Sequence, residues 1–251
     1  MPRGPLTSAR ACQSHPYSSA PERGPIRMPK GGAADKLTAM LQLSVPASSL
    51  RLRRVLCGVD GTSEAREAVR QAAALAAPSA ELELLTVTPA SRGFPFKERS
   101  AAILDAAEQT AQAANGVHPV SSAVPAATAA AGLIRAAADA DLLVVGCDAL
   151  GGTPKAVLRR APCAVLLARR ATDRPLLDTV VIADDRPPQL EEWAMHLADV
   201  HGSELRTAPT AEIAGVAEAL GCGLIVIGES ARAAQVARAA PCSVLVVRGK
   251  G

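Results

Sequence analysis

Aromatic side chains are almost missing from this chain: one Trp, one Tyr and two Phe in 251 residues. Tyr17, Phe94, Phe96 and Trp193 stand scattered. Single-strand binders stack bases on aromatic platforms, and nucleic-acid binders in general carry a basic stripe. With a formal net charge of only +3, neither signature is present, and no nucleic-acid partner is expected. Long hydrophobic runs are missing too. Although 49% of the residues are apolar, no stretch reaches the roughly 18 apolar residues of a membrane span, so no membrane partner is expected.

Familiar reactive patterns are absent as well. There is no GxSxG, no HExxH, no CxxC and no zinc-ligand spacing among the six Cys. An enzyme with conventional machinery is therefore not expected; a reactive Cys147 or Cys163 would need a lowered thiol pKa. Cys57, Cys147, Cys163 and Cys242 lie in or beside apolar runs, where a thiol acts as a small hydrophobe. That is a cytoplasmic pattern, not a secreted disulfide framework. Cys163 and Cys242 would make a redox pair only if their strands met. His196 and His201 are five apart on an expected helix and so point about 140° from each other, which gives no shared metal face. The pairs Arg159-Arg160 and Arg169-Arg170 read as solvated surface.

What is present falls into three parts. Residues 1–50 are rich in Pro, Gly, Ser and Arg and lack an apolar period. They read as a disordered tail without the apolar core of a secretory signal, or as sequence ahead of a later start at Met28 or Met40. From "RRVLCGVD" onward, short apolar runs alternate with helical patterns over 51–170. In the first helix Ala65, Ala68, Val69, Ala72, Leu75 and Ala76 keep one face, Thr62 or Ser63 caps it, and Pro78 ends it. Strands are expected at "ELELLTVTP", "VHPVSSAV", "DLLVVG" and "CAVLLAR", with helices over 97–114, 126–138 and 153–161 between them. Such alternation predicts an α/β fold, a parallel sheet with helices on both faces.

Residues 175–250 repeat the pattern in shortened form, with about one strand–helix pair fewer. "RRAPCAVLLAR" at 159–169 and "RAAPCSVLVVR" at 238–248 share seven of eleven positions at an offset of 79 (242 − 163). A match this close implies one unit built twice.

Ligands of open parallel sheets sit beyond the carboxyl ends of the strands. Asp60 follows the first strand there. In "GCDALGGTPK" Gly146 ends a strand, Gly151-Gly152 make a loop, Thr153 is placed to cap a helix and Pro154 suits its first position. Glycines let backbone N–H groups at a helix N-terminus approach a phosphate. A tight turn with a cap is the other use of the same residues. A Walker A loop does not fit, because Gly152 stands where Lys is required.

Together "RRVLCGVDGTSEAREAVRQAAALA", "ELELLTVTP" and "ADLLVVGCDALGG…AVLRRAPCAVLLARR" resemble the universal stress protein family, closely over 51–170 and more weakly over 176–250. The resemblance implies a Rossmann-like sheet in two tandem repeats that pair within the chain through their last strands. It also implies a stress-response role in the cytoplasm, with a homodimer and an unidentified protein partner as further associations. One branch of the family binds ATP through G-x2-G-x9-G-[ST]. Here Gly146 fits, Ala149 replaces the second glycine, and Gly152-Thr153 closes the loop early. The family's Asp corresponds to Asp60 and its apolar adenine contact to Val87. The cofactor so implied is ATP or another adenine nucleotide, held by Asp60, Val87, Gly146, Gly151, Gly152 and Thr153, with no metal beyond the nucleotide's magnesium. The alternative is a structural or regulatory dimerisation module without a nucleotide. In the second unit Asp184 precedes Asp185 rather than Gly, and "ESARAA" after Gly228 has no glycine, so no ligand is expected there.

Overall fold

The structure, a computed structural model, describes residues 50–76, 79–89, 95–170, 175–185 and 187–248. Apart from Leu50, the expected tail lies outside them. Five strands and four helices come first: β1 (Arg54–Gly58), α1 (Ser63–Ala76), β2 (Glu81–Pro89), α2 (Pro95–Asn115), β3 (Val120–Ala126), α3 (Ala129–Ala136), β4 (Leu142–Gly146), α4 (Gly152–Arg160) and β5 (Ala164–Ala168). Then follow β6 (Thr179–Ala183), α5 (Pro188–His201), β7 (Glu204–Ala208), α6 (Ile213–Leu220), β8 (Leu224–Gly228), α7 (Ala233–Ala239) and β9 (Ser243–Val247). All nine strands join one sheet in the order β3-β2-β1-β4-β5-β9-β8-β6-β7.

The apolar runs explain the order. Val55, Leu56, Cys57, Leu142, Leu143 and Val144 are wholly inaccessible, as strands covered by helices on both faces must be. Helices α1 and α2 contact each other on one side, α3 and α4 on the other. Every residue expected on the inner face of α1 is buried. The edge strand β3 carries Pro125, whose missing N–H is tolerated at an edge. The helix expected over 126–138 begins later: Ala126 still pairs in β3, and Thr128 caps α3 by accepting from the Ala131 N–H at 3.1 Å. The second half has four strands, and α2 with β3 has no counterpart in it.

All neighbouring strands run parallel except β5 and β9, which meet antiparallel with Leu166 opposite Leu245. The twice-written phrase explains the seam around them. Arg169, just past β5, donates Nη1 and Nη2 to the carbonyls of Ala240 and Ala237 at the end of α7. Arg248, just past β9, donates to the carbonyls of Ala161 and Leu158 at the end of α4. Each half thus sends a guanidinium onto the negative, carbonyl-bearing end of a helix in the other half. This corrects the expectation that Arg169 is solvated surface. A buried amide adds a further tie. Gln71 on α1 donates to the Arg169 carbonyl at 2.7 Å and to Glu67 at 2.9 Å, and it accepts from Ser243 Oγ of β9 at 2.8 Å.

Candidate functional site

Strand order reverses between β1 and β4, so the chain leaves their carboxyl ends toward opposite faces and opens a crevice. A cavity of about 250 Å³ occupies it. Asp60, Val87, Gly146 and Thr153 all line it, together with Gly58, Leu85, Leu133 and Pro154. Gly151 and Gly152 sit beside it at the start of α4 but do not line it.

Asp60 is exposed. Its Oδ1 accepts from the Thr62 N–H at 3.0 Å and from Thr62 Oγ1 at 2.6 Å, which closes the turn after β1. Thr62 Oγ1 in turn accepts from the Ala65 N–H at 3.2 Å, capping α1. Asp60 therefore already holds a turn at the cavity rim. Val87 forms the apolar wall from β2. Gly132 on α3 lets that wall pack tightly, since a Cβ there would lie 2.8 Å from the Val87 methyls. Gly146 is required by close approach: a Cβ would stand 2.5 Å from the Glu64 carbonyl carbon. That proximity brings the N-terminus of α1 onto the end of β4.

The expected cap is corrected. Gly151, in extended backbone, is the N-cap of α4 and makes no side-chain cap bond; the Lys155 N–H donates to the Gly151 carbonyl at 2.9 Å. Thr153 is already inside the first turn, so its hydroxyl is not spent on capping. The loop between β4 and α4 is only five residues long, 147–151. The Gly151 N–H is taken by the Ala149 carbonyl at 2.7 Å.

Over residues 51–169 the sequence matches the model of the universal stress protein family. The chain belongs to that family. A universal stress protein crystallised in complex with cAMP is 30% identical, over 47% of this chain and 97% of its own, with a TM-score of 0.40. A universal stress protein from Archaeoglobus fulgidus DSM 4304 is 14% identical and aligns over 80% of this chain and all of its own, with a TM-score of 0.59. A protein of unknown function from Pseudomonas aeruginosa PAO1 is 17% identical over 79% of this chain and 93% of its own, with a TM-score of 0.59. No curated protein matches the chain. The family domain contains β1–β5 and the whole cavity; the fold of the longer neighbours extends into the second half.

Sequence reasoning missed Leu133, Leu85 and Gly58 as cavity residues of this universal stress protein. Leu133 follows Ala129 by four on α3, a helical period that marks an inward face without saying what it faces. A larger cavity, about 800 Å³, lies at the other ends of β4 and β5 against the start of α5, lined by Asp139, Asp141, Glu192, Trp193 and Arg248 among others. Asp141 there is engaged by the Arg53 and Arg54 N–H groups at 2.8 and 3.2 Å. This cavity lies away from the carboxyl ends of β1–β5 and beside those of β6 and β9, which α5 and Arg248 follow.

The five cysteines among the described residues are buried and free. Burial pushes Cys163 up to about 11 and raises Cys147 above its ordinary value, the opposite of what a reactive cysteine needs. Cys163 and Cys242 do not pair. Cys242 instead meets Cys222, with sulfurs 3.6 Å apart. The His196 and His201 rings meet edge to face at 5.7 Å, with His196 buried and His201 partly exposed. Among the described residues no three His, Cys, Asp or Glu are grouped to hold a metal ion. None of the described helices is long and apolar enough to cross a membrane.

Proposed function

We propose that the chain is a cytoplasmic stress-response regulator whose first repeat, 51–170, binds an adenine nucleotide as a sensor rather than a catalyst. One observation carries this: Asp60, Val87, Gly146 and Thr153, from four separate elements, line a single cavity at the switch point of the sheet. Val87, Leu85 and Leu133 offer an apolar slot for a base. Asp60 accepts hydrogen bonds at the rim and suits ribose hydroxyls. The Gly152 and Thr153 N–H groups open α4 and suit a phosphate. In this reading residues 175–250 are a second, shortened repeat whose last strand pairs with that of the first, and which carries no ligand. Its Gly228 faces Pro187, with 3.2 Å between a Cβ there and the proline ring. A homodimer and a protein partner are compatible with it.

A second reading, a structural or regulatory module without ligand, is favoured by Ala149 and by the early close of the loop. Titration calorimetry of the full chain with AMP and cAMP separates the two. The nucleotide reading expects saturable binding that Val87→Trp abolishes by filling the cavity. Absence of binding at about 1 mM ligand, weaker than about −4 kcal/mol, would support the module instead.

A further inference from the structure

We propose that Cys222 and Cys242 form a redox-active pair, which a peroxide oxidises to a disulfide that staples β8 to β9 beside the seam between the halves. The proposal goes beyond the nucleotide reading and does not depend on it. Cys222 follows the left-handed Gly221 that ends α6, and its N–H donates to the Ala217 carbonyl at 3.0 Å. Cys242 immediately precedes β9. Their sulfurs lie 3.6 Å apart, so a bond of about 2.05 Å asks for a closure of about 1.5 Å. The backbone permits it. Leu224 pairs with Ser243 in parallel, which leaves Cys222 and Cys242 one residue out of step on neighbouring chains. A spacing of about 4.8 Å between strands and about 3.3 Å along them puts their Cα atoms about 5.8 Å apart. Disulfides span roughly 4.4–6.8 Å between Cα atoms. The first half supplies a contrast. Gly146 and Gly228 end equivalent strands, and Ala140 and Cys222 stand equally far before them (146 − 140 = 6; 228 − 222 = 6). Cys163 holds the place of Cys242, so the first half fills the same spot with one thiol and a buried alanine. The fold does not itself require Cys222.

The pair divides the chemistry between its members. A bond from the Cys242 thiol eases loss of the Cys222 proton, while the same bond, and then burial, holds the proton on Cys242. Cys222 is therefore the nucleophile. Its thiolate attacks one peroxide oxygen, the O–O bond breaks, and Cys222 becomes a sulfenic acid while hydroxide leaves. The Cys242 sulfur then displaces the sulfenic oxygen, which departs as water with the Cys242 proton. The hydroxide takes up the proton first lost by Cys222. Two thiols and one hydrogen peroxide thus give one disulfide and two waters, with two electrons passing from sulfur to oxygen. Both cysteines are buried, at 0% and 2% exposure, but each adjoins a surface turn: Gly221 is partly exposed and Pro241 exposed. Local opening of the end of α6, an eight-residue helix, admits a molecule little larger than water. The disulfide is also placed to act on the seam. Ser243, next to Cys242, accepts from the Arg169 N–H at 3.0 Å and donates to Gln71 at 2.8 Å. The staple would fix the residue through which the first half grips the second.

The test uses the full chain carrying Cys12→Ser, which removes the one cysteine outside the described residues. The folded protein is held in millimolar hydrogen peroxide, then unfolded, alkylated and digested for mass spectrometry. A disulfide joining the Cys222 and Cys242 peptides is expected, with Cys57, Cys147 and Cys163 still alkylated and dithiothreitol restoring both thiols. The crosslink closes a loop of 21 residues (242 − 222 + 1) in the unfolded chain, which is expected to raise Tm by roughly 6–12 °C. Cys222→Ala, the residue the first half carries there, is expected to abolish both the crosslink and the Tm rise, and Cys163→Ala to keep both. Full alkylation of all five thiols after peroxide, or Cys222 oxidised to sulfenic or sulfinic acid without a crosslink, would overturn the proposal. So would a Cys222–Cys242 crosslink no more frequent than other pairings, or a crosslinked protein whose Tm is not raised.

Discussion

Replacing Arg169 by alanine strips the end of α7 of its cap from the other half. The guanidinium donates to two carbonyls, Ala240 and Ala237, on residues that are themselves buried at 2% and 1% exposure. Water can take its place there only in part. A hydrogen bond to a charged group contributes about 1.5–3 kcal/mol, and a buried acceptor left unpaired costs about 1–3 kcal/mol. Counting the two carbonyls as partly rehydrated in the variant gives a loss of about 3 kcal/mol. For a body of this size that lowers Tm by roughly 6–12 °C. Differential scanning calorimetry of Arg169→Ala beside the exposed Arg66→Ala measures it, and Arg66→Ala should stay within about 0.5 kcal/mol of the parent. Arg248→Ala should reproduce the loss, because it caps α4 in the same way. Arg169→Lys should recover less than half, since an ammonium cannot fork across two carbonyls. An Arg169→Ala Tm within 2 °C of the parent, an interval inside about 1 kcal/mol, would refute the reciprocal-cap argument.

Other consequences are local. Gly146→Ala should destabilise by about 1–3 kcal/mol or more, because its Cβ meets backbone atoms of Glu64 and Ala65 that cannot turn aside. Gly152→Ala, with no atom within 4 Å of the new Cβ, should leave Tm unchanged or slightly raised; equal Tm values for the two variants would contradict the packing described. Burial lowers the pKa of both His196 and His201 below 6.5, with a hydrogen bond to the Leu50 backbone, and then the Asp199 charge, opposing this at His196. The unfolded chain then binds more protons than the folded one in acid, so their contribution is present above pH 6.5 and is lost as the pH falls through the lowered folded values. Urea titrations at pH 7.5 and 5.5 should show lower stability at the acid value, with a shallower dependence in His201→Gln; a steeper one would reverse the sign. In a Cys12→Ser background, N-ethylmaleimide should label none of the five buried thiols at neutral pH until denaturant is added. Rapid native labelling of Cys163 would contradict its burial.

Much of the fold was legible because its signals are local. Apolar runs bounded by Asp60-Gly61 and Gly146, and the one-sided face of α1, fix strands and helices whatever surrounds them. The repeated phrase also marked where each half ends. What it did not disclose was the destination of its last residue: Arg169, beside Arg170, and Arg248 look like surface arginines until the antiparallel seam brings a helix end within reach. The helix cap at Gly151 was missed for a related reason. Thr153 has the better capping side chain, but extended backbone at Gly151 let the helix start earlier. The sulfur contact was misread because Cys222, just ahead of β8, attracts no notice until the register of β8 and β9 sets it against Cys242. In the cavity, Asp60, Val87, Gly146 and Thr153 stood out by strand-end position and family motif. Leu133 and Gly132 did not, because their role depends on α3 crossing over β2.

The account turns on whether the cavity between β1 and β4 receives an adenine ring. The most direct measurement is a nuclear Overhauser experiment on full-length protein with labelled Val and Leu methyls, titrated with AMP. Contacts from the adenine protons to the methyls of Val87, Leu85 and Leu133 are the predicted result. Contacts confined to methyls elsewhere, or no adenine contacts with AMP in large excess, would contradict it.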